Sequence, residues 1–157
     1  MRPVKTVKDS LTEQQYFIRP AHINHYGRLF GGQLLLWIDE VAGIVASRHS
    51  GAIVTTAAID NLQFSAPAHA GEMVVLHGRV TYVGRSSMEI RVDTYRENLD
   101  GEREPINRAY IDMVAINNLG EAIEVPDLRP ETEEEKAEYE AAKKRKELRK
   151  QRRQDGF

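Results

Sequence analysis

The sequence predicts an α+β domain in which one long apolar helix is wrapped by a curved antiparallel sheet of about five strands. Three observations predict it. The window Leu34 to Ala46 is apolar at 10 of its 13 positions, as expected for a helix buried on most sides. Four extended segments follow it with only short turns between them, and strands joined in that way pair antiparallel instead of through βαβ crossovers. One further extended segment precedes the helix.

Residues 12–19 (TEQQYFIR) are the first expected strand, ended by Pro20. Residues 21–32 (AHINHYGRLFGG) are too rich in glycine and polar groups for an element interior. They read as a loop running into a helix N-terminus. The helix is expected from Gly32 to Ser50, with Gly51 as its stop. At about 100° per residue, Leu34, Leu35, Ile38, Val41, Ala42, Val45 and Ala46 share one broad stripe. Leu36, Trp37 and Ile44 make most of the remaining surface apolar, so other structure should surround the helix. Glu40 points away from the stripe, whereas Asp39 lies at its edge beside Leu35 and Ala42.

The later strands are expected at Ala52–Ser65, Glu72–Val83, Ser87–Glu97 and Pro105–Asn117. Ser87–Glu97 has the clearest period of two, with Met88, Ile90, Val92 and Thr94 on one face and Glu89, Arg91, Asp93 and Tyr95 on the other. The connections PAHAGE, VGRSS and LDGE are turn-like, and Asp100–Gly101 is a hairpin signal. One face of such a sheet buries the helix, and its edges invite pairing with a second copy. A core built from roughly 130 residues is modest, so an oligomer is expected.

Beyond Pro130 the composition changes. Thr132 and Glu135 stand at capping-box spacing, and Ala, Glu, Lys and Arg dominate the rest of the chain, with Glu140 and Lys144 able to pair at i,i+4. Residues 1–130 hold 13 basic and 16 acidic side chains. Residues 131–140 then carry six acids and one Lys, and residues 143–153 carry eight basic residues and Glu147. The chain therefore divides into a domain over 1–130 and a charged tail over 131–157, expected as an exposed helix or a flexible end.

With 157 residues, 41% hydrophobic and 29% charged, the chain fits one soluble domain plus that extension. It has no cysteine, which excludes disulfides, cysteine-ligated metals and a thiol nucleophile, and points to the cytoplasm. The body is mildly acidic, against a nucleic-acid partner. No stretch has the order of a signal peptide. The apolar window is shorter than the ~20 residues of a membrane span and carries Asp39 and Glu40, so no membrane partner is expected either.

P-loop, GxSxG, HExxH and dinucleotide motifs are absent. The informative run is residues 19–33, RPAHINHYGRLFGGQ, which delivers Gly31 and Gly32 to the start of the apolar helix. Unpaired N–H groups and the positive end of the helix dipole can receive negative charge there, and glycines let a ligand approach the backbone. Asp39, two turns later, is either a hydrogen-bonded structural acid or a general base or nucleophile. Asn24 is either a turn former or a side-chain donor that orients a carbonyl or a water. His22 and His25 read as polar loop residues, and with His69 in a turn and His77 in a strand no metal ligand set is visible.

The segments HINHYGRLFGGQLLLWIDEVAGIVASRHSG, IVTTAAIDNLQFSAPAHAGE and VTYVGRSSMEIRV together resemble the acyl-CoA thioesterases of the hot-dog fold, the cytosolic and brain-type acyl-CoA hydrolases and their single-domain bacterial relatives. The resemblance covers about residues 12–127. It implies hydrolysis of an acyl-CoA to a free acid and coenzyme A, which enters only as part of substrate and product, with no separate cofactor. The implied site lies between two subunits, with Asp39 from one and Asn24 from the other. Gly31 and Gly32 would hold the thioester carbonyl, and the turn Gly84, Arg85, Ser86 and Ser87 would contact coenzyme A, with Arg85 on phosphate. Dimers, assembling further as trimers of dimers into hexamers, are the implied oligomers. Asp39 would activate water or attack directly to give an anhydride.

Three other readings compete. A non-catalytic acyl-CoA or lipid-binding module would bind without releasing thiol. A nucleic-acid accessory protein would use the basic stretch Lys143 to Arg153. The third is a dehydratase or a hydrolase acting on carrier-protein thioesters; a hot-dog dehydratase would use a His with an acid, and no His occurs in the helix before His49.

Overall fold

The computed structural model describes residues 1–60 and 62–157. In chain order its elements are β1 (Val4–Thr6), β2 (Thr12–Phe17), α1 (Gly31–Ser50), β3 (Ile53–Asp60), β4 (Met73–Val83), β5 (Ser87–Glu97), β6 (Arg103–Ile116), β7 (Asp127–Arg129) and α2 (Glu133–Asp155). Five strands form one sheet in the order β2-β4-β5-β6-β3, every neighbouring pair antiparallel. Register shifts at Thr56/Ala58, Val80/Tyr82 and Thr94/Tyr95 are bulges of the kind that bend strands. The sheet curls around α1, which is the hot-dog arrangement.

Helix α1 fills the inner face. Leu34, Ile38, Val41, Ala42, Val45 and Ala46 are fully buried, and Leu76, Val80, Ile90, Val92, Ala109 and Ile111 belong to the same core. At Gly78 of β4 the approach is tight: a Cβ would lie 2.7 Å from Val41 Cγ1 and 3.0 Å from Val45 Cγ2. Only glycine lets the helix sit this near the strand. Gly51 ends α1 in the left-handed region, with φ +68°. The helix thus starts one residue before its expected Gly32 and stops where expected.

Two sides of the expectation differ. The strand expected over Ala52–Ser65 ends at Asp60, and Asn61 within that range lies outside the described residues. At Ser65 the chain has left the β3 ladder, and the Ser65 N–H and hydroxyl both donate to the Ile106 carbonyl. In the first segment, the strand stops at Phe17, ahead of Pro20. The small parallel pair of β1 and β7 was not anticipated, since three-residue strands carry almost no periodicity.

The tail forms a helix, as its capping box implies: the Thr132 hydroxyl accepts from the Glu135 N–H at 3.1 Å, and the Glu135 carboxylate accepts from the Thr132 N–H at 2.9 Å. Most of its residues are exposed, as expected, but one side of it is docked. Helix α2 lies on the outer sheet face, where Ala142 is fully buried and Tyr139 packs on Tyr82 with ring centroids 4.8 Å apart. Charge does the rest. Glu138 pairs with Arg79 and Arg91, and Glu89 of β5, only 1% exposed, takes Arg145 at 2.8 Å and Arg149 at 3.0 Å. Asp60 pairs with Arg149 and Arg152. Acids on a strand's solvent side look like ordinary surface residues in sequence, which is why this docking was not legible.

The side of α1 carrying Leu36, Gly43 and Ile44 is only partly covered by the described residues of its own chain. Leu36 is half exposed. Beside it, an open groove of ≈ 1120 Å³ runs between Gly43, Ile44 and Ser47 and the sheet end at Ile53, Val54 and Ile116. Among the described residues no helix is long and apolar enough to cross a membrane.

Candidate active site

The loop before α1 is shaped by Asn24. Its Oδ1 accepts from the N–H groups of Tyr26 at 2.9 Å and Arg28 at 3.2 Å, and Gly27 turns the chain at φ +77°. Both sequence readings of Asn24 are therefore physically open at once. The oxygen builds the turn, while the Nδ2 donor has no partner among the described residues. His22 is structural here: its Nδ1 accepts from the Arg19 N–H at 3.0 Å and its ring meets Trp37 edge-on at 5.0 Å.

That loop enters α1 at Phe30. Gln33 and Leu34 N–H groups donate to the Phe30 carbonyl at 3.0 and 3.2 Å. The N–H groups of Gly31 and Gly32 have no acceptor among the described residues. They are the orphan donors of a helix start, aligned with its positive dipole end. A cavity of ≈ 240 Å³ is lined by Asn24, Leu29, Leu34, Phe64 and Ile106 among others, and by neither glycine, while the Phe64 ring lies so near Gly31 that a Cβ there would touch it at 3.4 Å.

Asp39 stands on α1, partly buried and facing β3. The Thr56 hydroxyl donates to its Oδ1 at 2.6 Å. Its Oδ2 has no partner among the described residues. The neighbouring Glu40 turns the other way and accepts from the Tyr16 hydroxyl at 3.5 Å. Burial, reinforced by Glu40, holds that phenol above its ordinary pKa.

Thr56 was missed in the sequence. Its place comes from strand register: Val54 and Thr56 pair with Ala115 and Met113, whose side chains face the core, so Thr56 is a hydroxyl at an inward position. Asp39 makes no hydrogen bond to Asn24 among the described residues. At ~1.5 Å per residue it stands roughly 11 Å along α1 from the glycine pair.

The turn Gly84–Ser87 joins β4 to β5 and is pinned from several sides. The Gly84 N–H donates to the Ser87 carbonyl at 2.8 Å, the Val125 N–H to the Arg85 carbonyl at 2.8 Å and the Ala115 N–H to the Ser86 carbonyl at 3.0 Å. The Arg2 guanidinium donates to the carbonyl of Gly84. Backbone is thereby committed to structure, leaving the exposed Arg85 side chain and the hydroxyls of Ser86 and Ser87 without protein partners among the described residues.

Comparison with known proteins gives one consistent answer. Residues 26–101 match the family model described as the thioesterase superfamily. The chain is 38% identical to an uncharacterized acyl-CoA thioester hydrolase of Bacillus subtilis, over 82% of this chain and 75% of that protein. It superposes on an apo-hexameric acyl-CoA thioesterase with TM-score 0.89 and 40% identity, covering 96% of this chain and 97% of the other. It also superposes on the acyl-CoA hydrolase of Staphylococcus aureus, solved with butyryl coenzyme A, coenzyme A and coenzyme A disulfide, with TM-score 0.89 and 33% identity over 98% and 94% of the two chains. That hydrolase has also been solved as three variants, with alanine replacing one Asp, one Asn or one Thr. A longer relative, the cytosolic acyl coenzyme A thioester hydrolase of the rat, is 34% identical over 89% of this chain but only 38% of its own length.

Proposed function

Since the chain belongs to the acyl-CoA thioester hydrolase family of the thioesterase superfamily, we propose that it hydrolyses acyl-CoA thioesters to a free carboxylic acid and coenzyme A. The observation that carries the reading is Asp39 on the buried helix, with one carboxylate oxygen held by Thr56 at 2.6 Å and the other unpartnered among the described residues. A carboxylate fixed by one oxygen is oriented, and its free oxygen can take a proton from water.

The sequence intervals support the assignment. Asn24, Asp39 and Thr56 follow one another at 15 and 17 residues, the intervals that separate the Asn, the Asp and the Thr replaced in the S. aureus hydrolase.

In the proposed reaction the acyl carbonyl oxygen lies against the N–H groups of Gly31 and Gly32 of the second copy that also supplies Asn24, and these groups stabilise the oxyanion as it forms. Water, deprotonated by Asp39, adds to the carbonyl carbon. The tetrahedral intermediate collapses, the C–S bond breaks, and the thiolate leaves as coenzyme A, taking up a proton. Asn24 of that second copy supplies its free Nδ2 to hold the water or the carbonyl. Arg85, Ser86 and Ser87 receive the coenzyme A portion. These steps use water, a carboxylate and amides, with coenzyme A entering only as substrate and product.

Self-association completes the proposed site. Strand β3 ends the sheet with one edge unpaired, and its exposed Ile53, Thr55 and Ala57 have none of the charged or Pro residues that guard free edges. Pairing β3 with β3 of a second copy would cover that edge, fill the groove along α1 and bring a second loop toward Asp39. A dimer of this kind is the unit, assembling into hexamers as trimers of dimers. We place the reaction in the cytoplasm, in line with the cytosolic naming of the rat relative. Release of free thiol from an acyl-CoA panel, measured on the wild type and Asp39→Ala, tests the proposal.

A further inference from the structure

The α2 helix brings a cation to the β4–β5 turn. A Cβ on Gly84 would lie 2.8 Å from Lys146 Nζ and 2.7 Å from Ser87 Oγ, so the missing side chain is what admits the ammonium group against the turn. Lys146 Nζ also stands 5.2 Å from the centroid of the Tyr82 ring, and Lys143 Nζ 5.2 Å from that of Tyr139. On α2 the residues Tyr139, Lys143, Lys146, Lys150 and Arg153 follow at i, i+4, i+7, i+11 and i+14, one side of the helix.

The partners of these cations separate them into two groups. Arg145, Arg149 and Arg152 are taken up by Glu89 and Asp60, and Lys143 by Glu140. Lys146 and Arg85 have no carboxylate within ion-pair distance among the described residues. Lys146 feels the Asp112 carboxylate at longer range, but it lies against, without an ion pair, a turn that also carries Arg85 and the free hydroxyls of Ser86 and Ser87. Two cations and two hydroxyls at one turn are the donor types that a phosphate ester takes up.

We infer that the C-terminal helix is part of the substrate site: Lys146, beside the turn that carries Arg85, binds the phosphate groups at the nucleotide end of coenzyme A. The inference rests on the acyl-CoA reading above and extends it to a segment with no assigned role. The ion pairs of Arg145 and Arg149 with Glu89 hold α2 on the sheet and so set the distance between Lys146 and the turn.

The test is calorimetric binding of coenzyme A and of pantetheine, which lacks the phosphates, to the wild type, Lys146→Gln and Lys144→Gln. Lys146 and Lys144 are both exposed, so neither variant disturbs the core. Lys144, two residues away and about 200° around the helix, controls for net charge. The expected result is coenzyme A binding weakened about tenfold by Lys146→Gln and unchanged by Lys144→Gln, with pantetheine affected by neither. Equal coenzyme A affinity in the wild type and Lys146→Gln overturns the inference, as does wild-type protein that binds coenzyme A no better than pantetheine. Binding through Lys146 without hydrolysis would remove the proposed activity and leave this inference standing. Hydrolysis with Lys146→Gln binding unaltered would do the reverse.

Discussion

Thr56 of β3 donates its hydroxyl to Asp39 of α1 at 2.6 Å, a polar link between the sheet edge and the buried helix. The bond consumes one carboxylate oxygen and fixes the direction of the other. A hydrogen bond to a charged group contributes about 1.5–3 kcal/mol, enough to hold one rotamer against alternatives.

Removing that hydroxyl should therefore lower turnover while leaving the chain folded. Thr56→Val keeps the shape and loses the donor, and kcat is expected to fall between about tenfold and a hundredfold. Thr56→Ser keeps the donor and should stay within a few-fold of wild type. Steady-state hydrolysis of one acyl-CoA by the two variants checks this, and equal losses would point to packing instead of hydrogen bonding.

A site shared between subunits makes a quantitative prediction about mixtures. Asp39→Ala and Asn24→Ala should each be nearly inactive alone. Refolded together at equal ratio, half of the dimers are mixed and each mixed dimer keeps one intact site, so about a quarter of wild-type activity should return. A mixture no more active than its components would place both residues in the same subunit's site.

How far the sequence went can be read from these same residues. Helix α1, the strands and the Gly51 stop were legible because a 3.6-residue stripe, a two-residue alternation and turn glycines are local signals. Asp39, Asn24 and the glycine pair stood out as polar or small residues in an apolar context. Thr56 did not, because its importance comes from a strand register that sets it opposite α1. The docking of α2 was hidden for the same reason: Glu89 and Arg149 are 60 residues apart, and neither is unusual until the fold joins them.

The Glu89 cluster should dominate the stability of that docking. With Glu89 1% exposed and bound to Arg145, Arg149 and the Thr81 hydroxyl, Glu89→Gln leaves two guanidinium groups facing a neutral amide. Breaking a buried ion pair costs about 3–5 kcal/mol. Urea unfolding followed by circular dichroism should register a loss of that order, and an unchanged midpoint would mean that α2 is held by its apolar contacts and by the ion pairs of Glu138 and Asp60 instead.

His49 gives the fold a defined acid limit. It is fully buried, with Nε2 2.8 Å from the Pro126 carbonyl oxygen, and burial holds its pKa below the usual histidine range. Above pH ~6.5 the ring is neutral in both folded and unfolded chains and costs nothing. Below it the unfolded chain takes up a proton that the folded one refuses, so stability declines as pH falls toward the lowered folded value. The thermal midpoint should drop between pH 7 and 5, and less steeply for His49→Gln. His77, also lowered chiefly by burial, adds to the wild-type slope and keeps some of it in the variant.

The central claim is that Asp39 drives hydrolysis of an acyl-CoA thioester, and thiol release measured on a panel of acyl-CoA substrates tests it most directly. Wild-type protein should liberate coenzyme A from at least one member of the panel, and folded, oligomeric Asp39→Ala should lose at least 99% of that rate, a loss of about 2.7 kcal/mol or more in transition-state stabilisation. Wild-type protein that releases no thiol, or Asp39→Ala with near wild-type turnover, would contradict the account.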